Sequence, residues 1–216
     1  MAISEVMKLL TLFSPLILAI GLCIGFYFYK SLNTIHKSIL FYLLLMLVID
    51  LSGRILKFTY GNNLIILPIY SLLELGMFVY FYYKFLFKAK HRLILGLSIV
   101  VVLYILWEIV VLKVMEPRQF QSYAKVADNF VIITLALAFF HEKINIFKES
   151  KWDNFRLNAV ILVFFSVNML FFLPINFLIN ETSGLNHYFW LSNLVITILF
   201  YLFLITSIWK NGKIRK

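Results

Sequence analysis

The chain has 216 residues, of which 62% are apolar and only 14% charged, and its net charge is +10. Soluble domains are about half apolar and a quarter charged, so too few charges remain here to clothe a water-facing surface. The basic residues stand in short clusters between long apolar runs, not along one face, which argues for a lipid bilayer as partner and no nucleic acid.

A helix that crosses a hydrocarbon core of about 30 Å needs about 20 apolar residues. In chain order the runs that meet this requirement are 9–29, 38–58, 67–87, 93–112, 123–140, 157–180 and 188–209. The expected fold is therefore all-α, a polytopic bundle of seven transmembrane helices forming a single transmembrane domain over 1–216. The first run follows Glu5, lacks a basic leader and is long enough to span, so it reads as a span and not as a cleaved signal. It contains Cys23, the one cysteine, which excludes an intrachain disulfide and reads as a small buried hydrophobe. Loop signals separate later runs at Gly61-Asn62-Asn63, Glu116-Pro117-Arg118 and Asn180-Glu181-Thr182-Ser183-Gly184. Pro68 suits the first turn of the third span. Pro15 falls inside the first span, and Pro174 is expected to kink the sixth or end its regular helix. The segment from Asn176 to His187 then forms a cover over the outer mouth.

Orientation follows from the lysines and arginines on alternate sides. One side receives Lys30, Lys37, Lys84, Lys88, Lys90, Arg92, Lys143, Lys148, Lys151, Arg156, Lys210, Lys213, Arg215 and Lys216. The other receives only Lys8, Arg54, Lys57, Lys113, Arg118 and Lys125. The richer side is the cytoplasm, so the N-terminus is outside and the C-terminus cytoplasmic, as in a multi-pass protein of a cell inner membrane.

Polar groups interrupt the apolar runs at a shared depth. An acid at the bilayer centre costs about 2.5–3.5 kcal/mol on insertion scales, so each one asks for a reason. Counted up from the nearest cytoplasmic basic residue, Asp50 lies about 20 Å in, Glu74 about 15–21 Å, Glu108 about 24 Å and Asp128 about 22 Å. Asn168 and Asn193 reach the same outer-half layer at about 18 and 25 Å. Arg54 follows Asp50 by one turn and shares its face. In one reading the acids pair with Arg54, Lys57 and Lys125 and lock helices together, Arg54 pairing with Glu74 or Asp50. In the other, Asp50, Arg54, Glu74, Glu108, Asp128, Asn168 and Asn193 line an outward-facing cavity for a small polar or zwitterionic ligand.

Several chemistries lack their residues. No lysine stands between Arg156 and Lys210, so the last span has no Schiff base for retinal. His36, His91 and His141 fall at the cytoplasmic edge and His187 at the outer edge. None has metal-site spacing, so no metal site is expected and these read as solvated loop histidines. Ser71, Ser98 and Ser166 have no basic partner at their depth. Paired carboxylates leave aspartyl acid–base chemistry formally open. No catalytic residue and no cofactor are assigned.

The stretch Leu67-Pro68-Ile69-Tyr70-Ser71-Leu72-Leu73-Glu74 opening the third span, and Phe189-Trp190-Leu191-Ser192-Asn193-Leu194 in the last, resemble segments of small seven-helix membrane proteins of Bacteroidota. Those proteins are often encoded near sensor histidine kinases, which implies a signalling or membrane-sensor role. They commonly carry a histidine where this chain has Ser192.

The expected function is a non-enzymatic receptor or sensor-like component, with basic loops that meet anionic lipid, a cytoplasmic signalling protein or another membrane subunit. A small-solute or proton-coupled transporter is the alternative, as is a structural subunit of a larger membrane complex. The inner halves, such as Phe41 to Ile49 and Ile94 to Leu106, are apolar and favour a blind pocket over a pathway. The orientation has a direct test. A phosphatase fused after Lys216 should be inactive, and one inserted at Asn62 or Gly184 active; activity at the C-terminus would overturn the assignment.

Overall fold

The computed structural model describes residues 3–111, 122–145, 154–178 and 185–214. Among them are seven helices: α1 (Ile3–Tyr27), α2 (Thr34–Tyr60), α3 (Ile66–Phe81), α4 (Arg92–Val111), α5 (Ala124–Asn145), α6 (Phe155–Leu178) and α7 (Leu185–Ile214). All seven are long and apolar enough to cross a membrane. The fold is all-α, with no strand among the described residues. The loop signals at Glu116-Pro117-Arg118 and at Asn180 to Gly184 lie outside the described residues. So does the middle of the expected outer cover, whose two ends belong to α6 and α7.

Helix ends follow local chemistry. The Asn33 side chain accepts the His36 backbone N–H at 2.8 Å and so caps α2. Gly61 closes the same helix at φ +76°, a left-handed turn that side-chain-bearing residues resist, and its N–H returns to the Lys57 carbonyl at 3.1 Å. Pro68 stands in the first turn of α3. α6 continues through Pro174 to Leu178, so this proline does not end the helix. At its C-terminal end α3 widens into a π-helical turn over Tyr82–Leu86, where the Phe87 N–H reaches back to the Tyr82 carbonyl at 2.8 Å.

The chain divides into two compact units, one containing α1, α2 and α7 and the other α3 to α6. In the first, α1 packs on both α2 and α7. Lipid tails are as apolar as leucine, so helices here associate through close packing and not through exclusion of water. Small residues permit that approach. Gly21 and Gly25, one turn apart on α1, lie against Ile205 and Leu40, and Gly212 of α7 lies against Phe28. The α1–α2 turn is bonded to the end of α7 as well. Ser31 Oγ donates to the Gly212 carbonyl at 3.2 Å, the Asn33 N–H donates to Asn211 Oδ1 at 3.1 Å, and the His36 ring meets Ser207 Oγ at 3.0 Å. His36 is thus held by α7 and is not a solvated loop residue. The outward faces are as apolar as the seams: Leu12, Leu16 and Ile20 form one stripe of α1, each more than half exposed. Cys23 is also exposed, not buried as its type suggests, because on a lipid-facing helix the apolar surface points outward.

In the second unit α5 packs against α3, α4 and α6. Its buried positions (Lys125, Asp128, Ile132, Leu135, Phe139) recur every three or four residues, one face of a helix. Phe78 of α3 meets Phe165 of α6 edge-on with ring centroids 4.9 Å apart.

The glycines give a contrasting pair of expectations. A Cβ on Gly212 would stand 2.5 Å from Phe28 Cβ, whereas one on Gly76 meets nothing within 4 Å. Gly212→Ala should therefore destabilise the α1–α7 seam by about 1–3 kcal/mol, the usual cost of overpacking. Gly76→Ala should be neutral or stabilising by up to about 1 kcal/mol through helix propensity. Thermal unfolding in detergent compares the two.

Candidate functional site

The buried polar centre of the second unit is built on the first turns of α5. Lys125 is the second residue of that helix, and Asp128 follows one turn later on the same face. The Lys125 ammonium donates to Asp128 Oδ2 at 3.1 Å and, in closer contact, to Glu74 Oε2 of α3. None of the three side chains has surface open to solvent. Tyr70, one turn before Glu74, donates its hydroxyl to Glu74 Oε1 at 2.8 Å, and its ring lies 4.3 Å from the ammonium. One buried ammonium therefore joins two carboxylates on two helices.

The neighbouring helices add polar groups. Glu108 of α4 is fully buried and accepts the Ser122 hydroxyl; Tyr104 stands one turn earlier on the same helix. Asn129 Nδ2 donates to Asn168 Oδ1 of α6 at 2.9 Å. Among the described residues, Asp128 Oδ1 and Asn129 Oδ1 are buried without a hydrogen-bond partner.

The expected site residues fall into two sets. Glu74, Glu108, Asp128 and Asn168 belong to the unit of α3 to α6, and the structure joins Glu74 to Asp128 through Lys125. Asp50, Arg54 and Asn193 belong to the other unit. Of the two partners expected for Arg54, the structure selects Asp50, at 3.0 Å on the same helix, and Arg54 Nη2 also donates to the Thr11 carbonyl at 2.5 Å. This pair is about one-third exposed (32% and 28%), so its contribution is that of a surface pair, about 0–1 kcal/mol. Asn193 is buried, and its backbone carbonyl accepts the Thr197 hydroxyl at 2.8 Å. Lys57 is exposed.

Tyr70, Ser122 and Asn129 were not singled out from the sequence. A search for partners three or four residues from each buried acid finds Tyr70 from Glu74, and Lys125 from Asp128. Nothing so local points to Ser122, which lies fourteen residues from Glu108.

A second polar level lies closer to the basic end of the same unit. The Tyr82 hydroxyl donates to Asn158 Oδ1 at 2.6 Å, and Asn158 Nδ2 to the Ala136 carbonyl at 3.0 Å. Between the levels stand the buried apolar side chains Leu75, Phe78, Ile132, Leu135, Ile161 and Phe165. Ten residues of α6 separate Asn168 from Asn158, about 15 Å of helix. At the end of α5, Glu142 accepts the Lys88 backbone N–H at 2.9 Å and meets the His91 ring at 3.3 Å, so the α3–α4 connection is fastened to α5. His91, like His36, is therefore engaged and not a solvated loop residue.

Two carboxylates that share a proton must touch, and here an ammonium stands between Glu74 and Asp128. All three side chains are closed off from solvent in this packing. An open groove of about 650 Å³, lined by Cys23, Ile24, Tyr27, Phe28 and Trp209, is apolar and includes none of the expected site residues. No family model matches the chain, and neither a curated protein nor a solved structure matches it.

Truncating Lys125 should be the most damaging change in this unit. Lys125→Met leaves the buried carboxyl groups of Glu74 and Asp128 without their ammonium and should cost about 3–5 kcal/mol. Combining it with Glu74→Gln and Asp128→Asn should restore much of that stability. A triple variant as unstable as the single one would mean that the ammonium packs there without holding the charges.

Proposed function

We propose that this protein is a non-enzymatic, receptor- or sensor-like component of a cell inner membrane, with its N-terminus outside and its C-terminus cytoplasmic. Its responsive element is the buried Lys125 cluster of α3 to α6. One observation carries this reading: three ionisable side chains on two helices, all without solvent-exposed surface, are joined through a single ammonium. As adhesion alone such a cluster is a poor choice, because well-packed apolar residues hold helices at least as firmly. Ionisable groups inside a membrane are retained chiefly where they do something.

A small polar or zwitterionic ligand arriving from the outer side is the partner such charges fit. Its carboxylate competes for Lys125, and its ammonium for Glu74 and Asp128, through charge-assisted hydrogen bonds. In the closed packing these groups face one another, so binding parts α3 from α5. That movement has a route to the basic side: α3 runs into the π-helical turn, and the connection after it is held on α5 by Glu142. A transporter would need polar groups across the whole unit, and the apolar level between Asn168 and Asn158 interrupts them.

The test uses protein in lipid nanodiscs and a panel of amino acids and betaines as probes. At least one should raise the Tm of the wild type and fail to raise that of Glu74→Gln, which keeps the Lys125–Asp128 pair. None should accumulate in proteoliposomes. Accumulation would replace the sensor with a transporter, and a panel without any shift would remove the small-ligand reading.

A further inference from the structure

We propose that the cluster also binds a proton, held on the Asp128 carboxyl when α3 and α5 are closed on each other. Three observations meet at this side chain. Asp128 is fully buried, and only one of its oxygens is bonded, Oδ2 to Lys125 at 3.1 Å. The same ammonium lies in closer contact with Glu74, so Asp128 has the lesser share of one positive charge. The other oxygen, Oδ1, completes no hydrogen bond, although the Asn129 backbone amide lies beside the carboxyl.

A carboxylate shut away from water, with one oxygen unbonded and only a share of one ammonium on the other, is costly to bury. Water or a metal ion would relieve it but needs room, and no water-sized opening reaches the side chain. A proton needs none. The groups that face the cluster do not remove the need. α3 brings Glu74 and Tyr70; α4, also packed on α5, carries a further acid, Glu108, met by the Ser122 hydroxyl; α6 contributes the uncharged Asn168, bonded to Asn129. The cation that reaches Asp128 among the described residues is Lys125.

Loss of this proton places a second negative charge beside the same ammonium, in a medium where charges interact strongly. That favours parting of α3 and α5. The consequence, that the proton is a signal and sets how readily the site opens, rests on the sensor reading above; the site itself does not.

The experiment is infrared difference spectroscopy of the whole protein in nanodiscs at neutral pH. The spectrum of wild type minus Asp128→Asn should contain the C=O stretch of a protonated carboxylic acid. Asp128→Asn retains the Lys125–Glu74 contact and is expected to fold. Should it not, wild type grown with carboxyl-labelled aspartate gives the same information: the acid band should shift on labelling aspartate and stay on labelling glutamate. The band should also fade as pH is raised. Because the native state then holds a proton that the unfolded chain releases, Tm should fall with rising pH, and Asp128→Asn should flatten that slope. A difference spectrum with carboxylate bands alone, or an acid band that ignores labelled aspartate, would overturn the proposal. Neither result depends on whether any amino acid or betaine binds, so this failure and that of the sensor reading are separable.

Discussion

Lys125 is a full positive charge with no water around it, and the packing of α3 on α5 depends on how that charge is met. Glu74 comes from one helix and Asp128 from the next turn of its own, so the ammonium joins the helices only while both are in register. A shift of either helix by one residue would carry a carboxylate away from it. The apolar contacts around the cluster, by contrast, tolerate sliding, because Leu, Ile and Phe can repack against one another. The ions select the arrangement, and the hydrocarbon side chains fill it.

The other unit is held by different means. Its helices approach through Gly21, Gly25 and Gly212, and its polar contacts gather at one end, where Ser31, Asn33 and His36 meet α7. Its ion pair Asp50–Arg54 is local to α2 and partly exposed. The two units thus show two solutions to the same difficulty, that lipid supplies no hydrophobic drive between helices. One brings backbones close at glycine; the other joins buried charges.

The helices were largely legible in the sequence, and for a physical reason. In a bilayer the backbone must satisfy itself, so a long apolar run has little alternative to a helix. The ends were less so: α7 continues past Trp209 through Lys210 and Lys213 to Ile214, since a polar helical end can extend beyond the hydrocarbon. For the site, counting residues gave depth but not direction. Depth placed Glu74 and Asp128 at one level, but no count says which helices are neighbours. Asp50, Arg54 and Asn193 share the expected level and belong to the other unit. Lys125 was the least legible residue. Charge counting puts it with the outer loops, whereas the structure buries it at the start of α5, because a cation near a span end is spaced alike whether it faces headgroups or carboxylates. Removing it from the outer count widens the charge asymmetry on which the expected orientation rests.

The position of Lys125 also bears on how the chain enters a membrane. A lysine within a span costs about 2.5–3.5 kcal/mol at the centre on insertion scales, less toward the edge. α5 alone has Asp128 to offset this, while Glu74 is carried by α3, which is synthesised first. An α5 that leaves the insertion machinery beside α3 delivers its ammonium directly to a waiting carboxylate. Released into lipid alone, it would carry a charge that the hydrocarbon cannot solvate. The order of helices along the chain thus places the acceptor in the bilayer before the charge that needs it.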